Sequence, residues 1–234
     1  FLMIRRPPRS TLDRSSAASD VYMRQDIYCE RISPEIFSEP INFITNVAFW
    51  ITFFLLLKKH NKKHYEDEGI RIYSFILIIL VFLIGTGSFL FHLFGNLWSL
   101  LADTVPIMIF ILLYLYLAVR YYLKQTLAVS AFAIFLFLIL NYSLSYFGIQ
   151  EISSYLMALF SMLIISYITY RENKLDISYG LLLSSIIFII SLGFRQLDLY
   201  ACTQFSLGTH WIWHILNSIL LYTLVVLFIE RKVR

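Results

Sequence analysis

Three stretches of this chain set ionisable or hydroxyl side chains among apolar residues: Ser88 and His92 in GTGSFLFH, Asp103 in LADTVP, and His210 with His214 in THWIWH. Inside a membrane-length apolar segment such a group costs several kcal/mol and usually faces the protein interior for a functional reason. Ser88 and His92 are four residues apart, so one helix face carries both, and the same spacing aligns His210 with His214. Three neutral imidazoles and one water complete a tetrahedral zinc shell, and three protein ligands with an open fourth position is the catalytic pattern. Zinc moves the pKa of its water toward about 7. Asp103 would accept the proton or orient a ligand imidazole, and the Ser88 hydroxyl would donate to a developing oxyanion.

The sequence contains its own control. His60 and His64 repeat the His-x3-His spacing in KKHNKKH, among basic residues and far from any acid within an apolar run, and are read as a solvated loop. A single Ser or His inside a membrane is ordinarily an interhelical hydrogen bonder. The signal is the combination of Ser-x3-His, an Asp eleven residues later and a terminal His-x3-His.

Elements able to hold these residues follow from composition. The chain is 59% hydrophobic and 15% charged, against about 25% charged in soluble domains. Its aromatic residues suit a protein whose ends lie at a bilayer interface. The net charge of +4 is spread over several short connections, which excludes a nucleic-acid partner and matches a topology signal. A spanning helix needs about 20 apolar residues, and seven segments qualify: 39–57, 72–94, 98–119, 126–147, 151–170, 176–194 and 207–229. Short loops make neighbours antiparallel. The fold class is therefore an all-α membrane protein, a seven-transmembrane helix bundle.

With the first 25 residues left out, Lys58, Lys59, Lys62, Lys63, Arg71, Arg120, Lys124, Arg171, Lys174, Arg231, Lys232 and Arg234 fall on one side of the bundle; Arg31 and Arg195 fall on the other. This bias places the N-terminus outside and the C-terminus in the cytoplasm. At about 1.5 Å per residue, His92 lies at the outer end of helix 2. Asp103 lies roughly 7 Å inside helix 3, and His210 and His214 roughly 5 and 10 Å inside helix 7. All four share the outer part of the membrane. Residues 1–25 have no apolar run or periodicity and resemble the peptide obtained when sequencing-adapter DNA is translated. They are set aside as a non-native leader, which leaves 26–234 as one domain and implies a true start that differs from this one.

Ser88-x3-His92, Asp103 and His210-x3-His214 on the last helix resemble the alkaline ceramidase family, part of a superfamily of seven-helix hydrolases and receptors that includes the adiponectin receptors. The likeness runs from about Asp26 to the C-terminus and includes the eleven-residue step to Asp103. It implies an intramembrane amidase acting on ceramide or a related N-acyl lipid, releasing a fatty acid and a sphingoid base. Ser88 and Asp103 would be catalytic, and His92, His210 and His214 would be the zinc ligands. The resemblance also extends to an acidic N-terminal segment, DIYCE, followed by Glu39-Pro40-Ile41-Asn42, where the animal enzymes hold calcium. It therefore implies a Ca2+ site from Asp26, Glu30 and Glu39, carboxylates being suitable hard ligands. The other reading is an acidic hook with Glu39 near the positive end of helix 1.

Both cysteines, Cys29 and Cys202, fall on the outer side, where a disulfide is permitted; the resemblance supports pairing them, with two unrelated thiols as the alternative. Arg195 and Asp198 are expected to pair with each other in the loop before helix 7, without a catalytic role. The active site faces the periplasm if the source is bacterial, the lumen if eukaryotic. The rival functions are hydrolysis of another lipid, an ester or a GPI-related one, and a non-enzymatic receptor-like protein braced by structural zinc. A transporter is disfavoured: no pair of Gly/Pro-broken spans marks two repeats.

Overall fold

The computed structural model describes residues 28–31, 36–149 and 152–231; the leader 1–25, Asp26, Lys232 and Arg234 lie outside the described residues. Seven helices are long and apolar enough to cross a membrane: α1 Pro40–Lys62, α2 Glu68–Phe94, α3 Leu97–Tyr122, α4 Leu127–Ile149, α5 Ser153–Arg171, α6 Leu175–Ala201 and α7 His210–Glu230. In hydrocarbon every backbone N–H and C=O must be satisfied within the chain, which a helix achieves locally. Polar side chains then fix where α2, α3 and α4 start. Asp67 accepts from the N–H of Ile70 at the head of α2 (3.2 Å). Asn96 and Ser99 form a reciprocal capping box at α3, and Thr126 accepts from Val129 N–H at α4.

The seven expected spans are all present, and two of them run five or more residues past their expected ends. α1 continues to Lys62 rather than ending near residue 57, so His60 belongs to its last turn. There it is buried and hydrogen-bonded to the Tyr65 hydroxyl at 2.8 Å, not solvated; only His64 is exposed. α6 continues to Ala201 rather than 194, which places Arg195 and Asp198 on a helix, not in a loop.

α1 to α7 pack in chain order, α1 closes against α7, and α2 also touches α7. Hydropathy does not decide which helices lie inside. α7 and α4 have mean hydropathies of 2.1 and 2.2, yet 56% of the apolar window of α7 is buried and 11% of that of α4. Phe132 and Phe135 of α4 face outward. Lipid tails are as apolar as Leu, so close backbone approach and interhelical hydrogen bonds sort the helices. Ser184 and Thr223 join α6 to α7 at 3.2 Å, and Tyr114 of α3 donates to the Leu224 carbonyl of α7 at 3.0 Å. A Cβ on Gly87 would lie 1.9 Å from the Ala102 carbonyl oxygen. Only glycine lets α2 and α3 meet there, and this contact brings Ser88 beside Asp103.

Candidate metal centre

His92 lies in the last turn of α2; His210 is the first residue of α7 and His214 lies one turn on. α7 begins at His210, so that residue sits at the helix mouth rather than 5 Å inside it. One ligand atom from each imidazole lies within 4.8 Å of the others, and all three rings are buried. The Nε2 atoms of His92 and His214 stand 3.1 Å apart. Their Nδ1 atoms fix what those nitrogens carry. His92 Nδ1 donates to the Glu39 carboxylate at 2.5 Å. His214 Nδ1 lies 2.8 Å from Thr45 Oγ1, whose own proton goes to the helix carbonyls of Ile41 and Asn42. With the hydroxyl proton on those carbonyls, Thr45 accepts and His214 Nδ1 donates. With both Nδ1 atoms protonated, two Nε2 lone pairs face each other at a separation that repels unless a cation sits between them. Zinc–nitrogen bonds of about 2.0–2.1 Å in tetrahedral array put nitrogens about 3.3 Å apart. His210 adds a buried Nδ1 with no hydrogen-bond partner among the described residues. This donor set fits a zinc ion.

The supports are as specific as the triad. Glu39, buried, also accepts from Arg31 Nε and from Asn42 Nδ2 (3.1 Å), while Arg31 Nη2 donates to the His92 carbonyl (3.1 Å). A buried carboxylate thus has a buried cation beside it, which its desolvation requires. The chain around Arg31 forms a hook over the triad, and the Tyr28 ring stacks on His210 with centroids 3.7 Å apart. Three attachments hold the hook. Cys29 and Cys202 form a disulfide. Cys29 N–H donates to Asp198 Oδ2 at 2.7 Å. Glu30 accepts the N–H groups of Ile41 (2.7 Å) and Asn42 (2.8 Å) at the first turn of α1. Burial raises the Glu30 carboxyl above its ordinary range, although both N–H groups pull it down. Glu39 is the N-cap residue at the positive end of α1 but makes no side-chain cap; Glu30 supplies the carboxylate that accepts the first-turn N–H groups.

Asp198 does not pair with Arg195. Its Oδ1 accepts from the N–H groups of Thr209 (2.6 Å) and His210 (2.8 Å), capping α7 from α6 and fixing the first ligand. It fits because Gly208, at φ +63°, has no side chain; a Cβ there would lie 2.2 Å from Oδ1. Ser88, Asp103 and His210 line a cavity with Tyr155, Arg195 and Trp213, and Ser88 is the hydrogen-bonding neighbour of Asp103. Ile84, Ile107, Tyr155 and Asn217 also wall a second, apolar cavity. Along α3 that cavity runs from Ile107 to Ala118, about 16 Å at helical rise.

A family model described as Ceramidase matches residues 28–233. This chain belongs to the ceramidase family. The match begins at Tyr28, the hook residue stacked on His210, and continues past α7. A search of curated proteins found no match to the chain.

Within this member of the ceramidase family, the structure brings together Ser88, His92, Asp103, His210 and His214, along with the Cys29–Cys202 pair. Glu30 and Glu39 stand close by, but each is engaged by protein partners; Asp26 lies outside the described residues. Sequence reasoning missed Tyr28, Arg31, Thr45 and Arg195. A signal existed for the α1 residues: Asn42, Thr45 and Asn46 are polar in an apolar helix and lie near Glu39 on its surface. Tyr28 had none, because an aromatic before a cysteine reads the same whether or not it covers a ligand.

Proposed function

We propose that this chain is a zinc-dependent amidohydrolase that cleaves ceramide or a related N-acyl lipid to a fatty acid and a sphingoid base. The facing Nε2 lone pairs of His92 and His214, 3.1 Å apart beside His210, carry the reading. Structural zinc sites are closed by a fourth protein ligand. Among the described residues the cluster has three, and it adjoins a cavity that contains a hydroxyl and a carboxylate.

When bound, zinc supplies Lewis acidity and an acidified water; the chain's residues do the rest. Glu39 and Thr45 hold two imidazoles in the tautomer that turns Nε2 inward. Asp103 takes the proton from the attacking water and returns it to the leaving nitrogen. Ser88 donates to the oxyanion of the tetrahedral intermediate. The apolar cavity receives the acyl chain and keeps bulk water from it. Glu30 caps α1 and Glu39 serves Arg31, Asn42 and His92; the proposed Ca2+ site of Asp26, Glu30 and Glu39 takes no step in this mechanism.

We also infer that the site lies near the non-cytoplasmic boundary, with the N-terminus outside. The charge bias is sharper than simple counting gives. Arg31 is buried and Arg195 half-buried in the site, so neither is a solvated loop charge on that side.

Asp103→Asn tests the mechanism. It is expected to retain zinc and to lose about 10²- to 10⁴-fold in turnover of a fluorescent ceramide; full activity would remove Asp103. A parallel screen of lipid amides and esters separates the rivals. Amide cleavage supports the ceramidase reading, ester cleavage alone the other lipid hydrolase, and zinc without turnover the receptor-like protein.

A further inference from the structure

Arg195 is a cation inside a membrane-spanning helix, a placement that normally demands a charged partner. Among the described residues none of the ion pairs includes it. Asp198, three residues on, is occupied by Cys29, Thr209 and His210. Asp103 acts on it across the cavity without contact. Two rings hold the guanidinium instead: its central carbon lies 5.3 Å from the Tyr155 centroid and 5.8 Å from that of Trp213. Cation–π contacts of this kind hold a guanidinium in place and leave most of its five N–H donors for other partners. The Tyr28 hydroxyl is a hydrogen-bonding neighbour.

The position of this cation is informative. Arg195 lines the chamber that contains Ser88, Asp103 and His210, and Tyr155, which stacks on it, also walls the apolar cavity. A group at the head of a chain lying in that cavity would meet the guanidinium. Hydrolysis of a lipid amide creates such a group: amide and water become a carboxylate on the acyl chain and a protonated amine, so a negative charge appears where the substrate had none. A planar guanidinium matches a carboxylate bidentately.

We propose that Arg195 binds the carboxylate of the released acyl chain, and so governs product affinity and selectivity for acyl lipids at this site. This rests on the amidase reading for the origin of the carboxylate. The test is equilibrium binding of palmitic acid and of hexadecanol to the purified full chain in micelles. The wild type is expected to favour the acid by about 10- to 100-fold, the worth of a charge-assisted hydrogen bond. Arg195→Gln should reduce that preference about 10-fold, the carboxylate keeping only its attraction to the metal, and leave alcohol binding unchanged. If Gln is not tolerated, Arg195→Lys, which keeps the charge without the planar fork, should shrink the preference several-fold. Equal binding of acid and alcohol by the wild type, or an undiminished preference in either variant, overturns the assignment. So does a defect confined to hydrolysis of amides with acidic headgroups while fatty-acid binding stays intact, which would give the cation to the headgroup. Because binding needs no turnover, a chain that cleaves no amide yet shows the Arg195-dependent preference sinks the amidase reading and keeps the carboxylate site.

Discussion

The chain carries the spacing His-x3-His twice, once where α1 ends and once where α7 begins. At α7 the helix persists through both residues. α2 delivers His92 against them, α1 delivers Thr45, and Asp198 of α6 fixes the N–H of His210. At α1 the helix stops at Lys62 and Lys63 turns extended. His64 therefore leaves the shared face and is exposed, while His60 turns to Tyr65. Spacing aligns two side chains only while the helix lasts. A metal site also needs neighbouring helices that supply a third ligand and fix the tautomers.

The largest break in this comparison is His210→Ala against His60→Ala. The first is expected to abolish both bound zinc and lipid-amide hydrolysis; the second should leave both intact. Loss of zinc in the His60 variant would mean the two pairs are not distinct. Next comes the hook. The Cys29–Cys202 disulfide spans 173 residues of sequence, a closure worth about 5 kcal/mol in the chain-entropy account. Cys29→Ser should lower the stability of the α7 end by a large part of that, read by denaturant or thermal unfolding, whereas reductant should not change packing around His60.

Smaller again is Glu39→Gln, which leaves Arg31 buried without its anion and His92 without its charged partner. Zinc affinity should fall about 10- to 100-fold, measured by chelator competition; an unchanged affinity would show that Glu39 does not orient His92. The smallest effect belongs to Tyr65→Phe, which removes one hydrogen bond from His60 at about 1 kcal/mol. It should lower the melting temperature slightly with no change in metal content.

Much of the bundle and the triad was legible in the sequence. Apolar length fixes membrane helices, and an imidazole inside one is too costly to be incidental. What stayed hidden has a common cause: capping and tautomer control come from residues distant in sequence. Asp198 and Arg195 look like a local pair, yet Asp198 caps a different helix and Arg195 stacks between rings of α5 and α7. Glu39 is a helix-end acid, but its second partner stayed hidden because nothing in its neighbourhood names His92, 53 residues away. The overlong ends of α1 and α6 escaped because polar residues past the apolar run continue a helix when tertiary partners satisfy them, as Tyr65 does for His60 and the α7 N-terminus does for Asp198.

We propose that α2 and α7 together hold one zinc ion through three imidazoles. X-ray absorption with metal analysis of the purified chain tests it most directly. We predict one zinc per chain with three nitrogen ligands at about 2.0–2.1 Å, lost in His92→Ala. Zinc retained undiminished in that variant, or a purified active chain with no bound metal, would contradict it.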